Sequence, residues 1–523
     1  MSVKTIIGFV GGRVKAAVME QAGWEERPPT VGEIKARICD QLTALWGAVD
    51  RDGDKRRFHE VESQLVPLIL GLGRLFLAYF LCLAEQRSAR LVEKPLKGGR
   101  GVRKDRKHLG TYFGRVTFWR AGVRSRHGQS VHPVDTALGL AEDGFSFLVL
   151  EMCARLSTLL SYEQVTAFLL YFLGWSPSKT TVERAVLGFG RYTQDWFAQA
   201  PAPEGDGEVL VIQLDSKATP TATDEELEKR RGPRRKKKRA PSPRHRGRDK
   251  RARGTRRRRL KGDKSKNGKM ATIITMYTLK RQRKRGKQLL LGPINKKVYA
   301  SYGPKAHAIA VARREADKRG FPPGGNKLIQ VVSDGDVALE RGIQEHFPDA
   351  IHTLDIFHVL EYVWEAGRYL HREGSASLAK WVKKQERLLY SGKPVIVIQH
   401  IEEIAKEVGK RAAKRLEGIQ NYLMSRLRLL NYQEARSQDL ELASGMVEGA
   451  VRHVIAKRMD NGSMRWIRER AQALLQLRCI EINGDWGPFT AYVARRLQAA
   501  AEAGSRVRLL TPKADSLPGD RAA

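Results

Sequence analysis

Apolar residues recur three and four apart through residues 30–90, the spacing that predicts helices. The basic, glycine-containing stretch 91–108 reads as a linker. From Leu109 to Arg120 the pattern changes to the alternation of a hairpin strand, and Pro133–Leu140 closes a small β-region. Helical periodicity returns from Phe147 to Tyr192. Within it, Glu163–Gly174 predicts a helix ended by its glycine, Trp175-Ser-Pro a short break, and Ser178 the start of a second helix. Such a pair fits either a helix-turn-helix or an ordinary helical hairpin of an all-α domain. In the first case Lys179, Thr180, Thr181 and Arg184 would face DNA from the start of the second helix.

Further along, short Val- and Ile-rich runs predict buried strands at 209–217, 270–279, 288–291 with 297–300, 328–333 and 350–354. Helices are predicted between them at 304–318, where a proline opens the helix, and at 338–346. From Phe357 to about Asp439 the pattern is wholly helical, and the last thirty residues are expected to fray. The order of three strands, helix, strand, helix, strand is that of a ribonuclease-H-like core.

The chain therefore reads as α/β and multidomain, a ribonuclease-H-like core interrupted by an all-helical insertion and preceded by a mainly helical DNA-binding region. The expected divisions are 1–108, 109–204, 205–355, 356–440, 441–490 and 491–523.

Three acids sit where such a core does chemistry. Asp215 closes Val-Leu-Val-Ile-Gln-Leu-Asp and Asp334 closes Leu-Ile-Gln-Val-Val-Ser-Asp, so both would emerge at the sheet rim. Glu448 lies in a helical stretch, flanked by Gly445, Gly449 and Ala450, with Arg452 one turn on. Three such carboxylates could hold two divalent cations, Mg²⁺ or Mn²⁺, which take hard oxygen ligands and assist phosphoryl transfer. Asp336 competes with Asp334, yet its place before Val337 suits a helix cap. Glu434 and Glu441 are the rivals of Glu448. Asp355 and His358, three apart at a helix start, suit either a cap and a partly buried histidine or groups beside the site. Trp364 and Trp381 could stack on a base or anchor a helical core.

Charge says what surrounds those acids. Lys and Arg outnumber Asp and Glu by 95 to 57, a net charge of +38. Half of the excess falls in 229–261, which includes Lys236, Lys237, Arg257 and Arg258 and has only Asp249 as an acid. The remainder is still basic, which points to a polyanion as partner. The basic stretch is too poor in apolar residues to fold alone and reads as a loop that clamps phosphates. Lys457 and Arg458 are further expected DNA contacts. Cys39, Cys82, Cys153 and Cys479 lie at neither zinc nor redox-motif spacing, which suits a reducing cytosol. The N-terminus lacks the pattern of a signal peptide. The apolar run 65–83 approaches membrane-span length, but Pro67 and Arg74 interrupt it, so a buried helix or helix–helix interface is expected.

Four stretches in order carry a resemblance: Leu-Asp-Ser-Lys-Ala around Asp215; Ser-Asp-Gly at 333–335; Leu-Asp-Ile-Phe-His-Val-Leu-Glu-Tyr-Val-Trp at 354–364; and Ser-Gly-Met-Val-Glu-Gly-Ala at 444–450 with Lys457-Arg-Met and Met464-Arg-Trp. Leu-Gly-Thr at 109–111 and Pro-Val-Asp at 133–135 add to it. The chain resembles DDE transposases of bacterial insertion sequences, in the Kra-type group related to Mutator-like enzymes. The resemblance is strongest over about 205–470. It implies Asp215, Asp334 and Glu448 as catalytic, metal-binding residues and a role near the site for Asp355 and His358. It also implies DNA ends and target DNA as partners, a homodimer or larger assembly, a cytoplasmic, nucleoid-associated place, and no small-molecule cofactor or membrane. A structure-selective nuclease and a non-enzymatic nucleic-acid packaging protein are the other readings.

Overall fold

The structure, a computed structural model, describes residues 27–50, 56–92, 100–124, 130–221, 268–284, 287–460 and 466–503. It divides into two compact units, Gln194–Gly484 and the residues on either side of that span.

The flanking unit begins with α1 (Val31–Asp50) and α2 (Phe58–Val92), which pack together. Thr30 and Glu33 cap α1 reciprocally: Glu33 N–H donates to Thr30 Oγ1 at 3.2 Å, and Thr30 N–H to the Glu33 carboxylate at 2.8 Å. α2 continues without a break through Pro67. One side of it, with Ala78 and Leu81, packs on a hairpin of β1 (Arg100–Thr111) and β2 (Gly114–Arg124) through Val116 and Phe118. The other side exposes Val66, Ile69, Phe76 and Phe80, so the expected burial of this helix holds for one side only. By length and composition Phe58–Ser88 is apolar enough to cross a membrane. Two expectations need correction. β1 starts at Arg100, inside the stretch read as a linker and across the expected division at 108, because pairing with β2 satisfies its backbone. After the short β3 (Ser130–Val131), Pro133–Ala137 is a single helical turn, α3, not strand.

α4 (Phe147–Ser157) precedes the predicted helical pair, α5 (Tyr162–Leu173) and α6 (Lys179–Gly190). A Ser161–Gln164 capping box opens α5, Gly174 ends it in the left-handed conformation at φ 73°, and Ser178 caps α6. The helix Trp486–Glu502 belongs to this unit as well, which overturns the expected division at 490 and the fraying of its C-terminal half. The reason is burial: Phe489 is fully enclosed 6.4 Å from Phe189, and Trp486 Nε1 donates to Glu151. The rest of the expected tail, from 504 on, lies outside the described residues.

The second unit opens with α7 (Thr193–Gln199) and is built on a five-stranded sheet, ordered β6-β5-β4-β7-β8. Its strands are β4 (Val209–Pro220), β5 (Gly268–Lys284), β6 (Lys287–Ser301), β7 (Leu328–Ser333) and β8 (Ile351–Leu354). β5 runs antiparallel to both β4 and β6, whereas β7 and β8 run parallel to β4. Parallel neighbours need crossovers, supplied by α8 (Lys305–Lys318) and α9 (Val337–His346). Both helices cover one face, where Leu210, Ile212 and Leu214 meet Ala308, Ile309, Leu339 and Ile343. On the other face Val209, Val211 and Tyr277 meet Ala435, Leu440 and Leu442.

The helical insertion is α10 (Ile356–Gly367), α11 (Ala376–Tyr390), α12 (Pro394–Glu407), α13 (Lys410–Ser425) and α14 (Tyr432–Ser437). It encloses its own core of Val363, Leu378, Ile398, Leu416 and Tyr432. The chain then returns to the sheet as α15 (Gly445–Ala450), followed by a π-helical turn at Val451–Ala456 and the short α16 (Lys457–Met459).

Candidate active site

Register places the first acids. Leu214, Ser333 and Leu354 are aligned across the three parallel strands, and the next residue along each is an aspartate: Asp215, Asp334 and Asp355. Neighbouring strands lie about 4.8 Å apart, so the three backbones form a row where the parallel pairing stops. Asp215 does not end its strand as expected, because β4 runs on to Pro220 against β5. Side chains alternate along a strand, which gives these positions the same face as Val211 and Gln213. That face is the one covered by the segment 440–447, which leads into α15 and Glu448.

Asp215 is half-buried. Burial pushes its carboxyl above the ordinary aspartate range; the Ser216 N–H opposes this, and the charges of Asp334, Glu448 and Asp355 add to it. The charges of three other acids thus reach Asp215.

Asp334 sits in a turn built to hold it. Its Oδ1 accepts from Asp336 N–H at 3.0 Å, and its carbonyl accepts from the Tyr422 hydroxyl at 2.6 Å. Gly335 adopts φ 73°, and its carbonyl accepts from Arg426 Nε at 2.8 Å. On the opposite side Ser333 Oγ lies 2.8 Å from His352 Nε2. Burial, helped by Arg428, holds the His352 imidazole down at about 4, so it is neutral at pH 7. Asp336 caps α9, as its place in the sequence suggested, through Ala338 and Leu339 N–H at 3.0 and 3.2 Å. Burial pushes its carboxyl up, but Lys305 at 2.8 Å and the cap outweigh this and hold it below the usual range.

Asp355 is buried. Its Oδ1 caps α10 at Phe357 N–H, 3.0 Å away, and its Oδ2 accepts from the Ser444 hydroxyl. Ser444 in turn precedes α15, and its carbonyl accepts from Glu448 N–H at 3.0 Å. Asp355 thus caps α10, and its charge is one of those that reach Asp215. Glu448 itself is exposed, and a side chain added at Gly449 would meet nothing within 4 Å. Arg452 is exposed on the π-helical turn that follows, a distortion frequent at functional sites. Of the rival glutamates, Glu441 is pushed up by burial and hydrogen-bonded to Tyr277 under the sheet, and Glu434 lies on α14. His358 is half-exposed, 3.7 Å from Glu361, with its ring edge against Tyr362 and Tyr422 at 5.1 and 6.1 Å.

Among the described residues no group of three or more His, Cys, Asp or Glu side chains stands ready to hold a metal ion. Carboxylate oxygens are hard donors of the kind that divalent cations take.

The expected DNA contacts divide. Lys179 and Thr180 are exposed at the start of α6, with Lys179 3.2 Å from Glu163. The Thr181 hydroxyl lies 2.9 Å from Ser178 Oγ, within the helix cap, and Arg184 is half-buried. Lys457 is exposed. Arg458 is not the DNA contact expected: it is 3% exposed, with its guanidinium 4.9 Å from the Trp466 ring centre. Lys236, Lys237, Arg257 and Arg258 lie outside the described residues. Trp381 packs against the insertion core, and Trp364 is partly exposed.

Sequence reasoning passed over Gln213, Gln330, Tyr422, Arg426 and Ser444. The two glutamines carried a legible signal, since an amide inside an apolar strand must find buried partners. The others come from distant parts of the chain, where nothing local marks them.

The chain matches no protein-family model and no curated protein.

Proposed function

We propose that this chain is a DDE-type transposase that cleaves DNA at the ends of a mobile element and joins those ends to target DNA. One observation carries the reading: Asp215 and Asp334 each lie one residue beyond the register pair Leu214–Ser333, and the charge of Glu448 reaches Asp215. The strand order, with two parallel strands beside β4 and an antiparallel pair on its other side, supports a ribonuclease-H-like core.

Asp215, Asp334 and Glu448 would hold two Mg²⁺ or Mn²⁺ ions. When bound, the ions neutralise charge at the reacting phosphate and on the leaving oxygen. Asp215, half-buried and subject to the charges of both Asp334 and Glu448, would be shared between the ions, with Asp334 and Glu448 each holding one. Asp355 keeps its hydrogen bonds to Ser444 and Phe357 and steadies the site from behind. Open space at Gly449 leaves room for a DNA strand beside Glu448. Lys457 and Arg452, both exposed, would contact phosphates, and Lys179 and Thr180, exposed at the start of α6, would meet duplex DNA. The high net charge supports DNA as partner, and joining two ends calls for at least two copies of the chain.

The test is incubation with linear DNA carrying the sequences that bracket the reading frame, in Mg²⁺. We expect cleavage at the ends and joined products. Asp215→Ala, Asp334→Ala and Glu448→Ala should each abolish both while DNA is still bound. Nicks without joining would indicate a nuclease, and wild-type rates in the three variants would overturn the assignment.

A further inference from the structure

We infer that Gln213 and Gln330 are positioning residues that strap segment 441–447 to the sheet and thereby set Glu448 beside the two aspartates. The inference rests on the reading of Glu448 given above. Both amides are buried, at 1% and 0% exposure, and each is flanked along its strand by Val, Ile and Leu. Each stands on a strand that ends at, or carries, an active-site aspartate, and on the same face of the sheet as that aspartate.

Most of their hydrogen bonds go to one short piece of chain, although Gln330 also donates to Thr353 Oγ1 at 3.3 Å. Gln330 accepts from Glu441 N–H at 3.0 Å and donates to Glu441 C=O at 2.6 Å, replacing the pairing that a neighbouring strand would give. Gln213 accepts from Val447 N–H at 3.0 Å and donates to Ala443 C=O at 3.1 Å. Its amide also lies 3.0 Å from the Tyr277 hydroxyl. Between these anchors Leu442 C=O accepts from Ile356 N–H at 3.0 Å, and Ser444 donates to Asp355. The strap is therefore tied to β4, to β7 and to the chain just after β8, the three strands that carry or lead into the aspartates. Val447 adjoins Glu448, so the last tie lies one residue from the acid it serves.

Backbone groups of a connecting segment normally face water. Here a half-buried segment, with Ser444 and Val447 enclosed, is satisfied by side chains of the sheet, and the same contacts fix its height along the strands. Leucine or valine would pack in these strands equally well but could not hold the strap. A role limited to stability would leave the metal dependence of cleavage untouched; a positioning role would not.

The test uses the full chain with Gln213→Met or Gln330→Met, which keep the volume and remove the amide. Ser444→Ala is the milder alternative should either fail to fold. Two readouts apply at temperatures where melting shows each variant folded. In hydrogen exchange, peptides covering 441–450 should exchange about tenfold faster in Gln213→Met, with β4 and β7 unchanged. In DNA cleavage, half-saturating Mg²⁺ should rise by about tenfold or more. DNA affinity should stay within about twofold, since neither glutamine touches the ligand. Unchanged exchange over 441–450 would overturn the strap, and faster exchange with an unchanged Mg²⁺ requirement would overturn the positioning role. Absence of cleavage by the wild type would sink the transposase reading instead, and exchange would still decide whether the strap exists.

Discussion

Gly335→Ala should unsettle the turn that presents Asp334, and the structure allows the size of the effect to be worked out. Gly335 adopts φ 73°, where an alanine costs about 1–2 kcal/mol. Its new Cβ would also meet Arg426 Nε and Leu354 Cδ1 at 2.7 Å and the Tyr422 hydroxyl at 2.8 Å. Arg426 is tied to the Gly335 carbonyl and Tyr422 to the Asp334 carbonyl, so neither can withdraw without releasing the turn. Overpacking of this kind adds about 1–3 kcal/mol, for a total loss of about 2–5 kcal/mol. Gly449 is the internal control: it is helical with nothing near its Cβ position, so Gly449→Ala should be neutral or gain up to about 1 kcal/mol. Urea unfolding of the two variants beside the wild type is the assay. A loss below about 0.5 kcal/mol for Gly335→Ala, within the range of ordinary surface changes, would refute the reasoning.

Asp215→Asn should stabilise the metal-free protein at pH 7. A carboxyl whose folded pKa lies above its unfolded value of about 3.9 contributes stability that is present below that value and lost as pH rises through the folded one. The variant's advantage should therefore vanish on acidification below about pH 4, and thermal melting against pH checks it. Mg²⁺ should raise the melting temperature of the wild type more than that of the variant. Lys457→Ala should leave stability within about 0.5 kcal/mol and lower the salt dependence of DNA binding by about one unit of slope. Arg458→Ala, which removes a buried stem and the contact with Trp466, should instead cost about 1–3 kcal/mol.

Much of the second unit was legible because its signals are local. The run Leu328–Ser333 forms a strand with the limits its composition suggested, and Asp336 caps the next helix because it immediately precedes it. The alignment of Asp215, Asp334 and Asp355 was legible only in part: the ends of β7 and β8 could be read, but β4 runs past Asp215 to Pro220, and register depends on pairing between distant segments. Arg458 shows the opposite failure. Beside Lys457 in a basic pair it suggested a phosphate contact, and only the position of Trp466 explains its burial. The linker at 91–108 misled for a related reason, since basic residues in β1 are tolerated where a hairpin partner satisfies the backbone. The strap at 441–447 has no regular pattern, and its anchors lie more than a hundred residues upstream.

The most direct test is a Mn²⁺ titration followed by paramagnetic resonance, on the full chain with its DNA duplex. Wild-type protein should take up the ion, and Asp215→Asn, Asp334→Asn and Glu448→Gln should each weaken uptake by about tenfold or more. Uptake unchanged by all three substitutions would mean that these carboxylates, however close their strands bring them, do not form a common cation site.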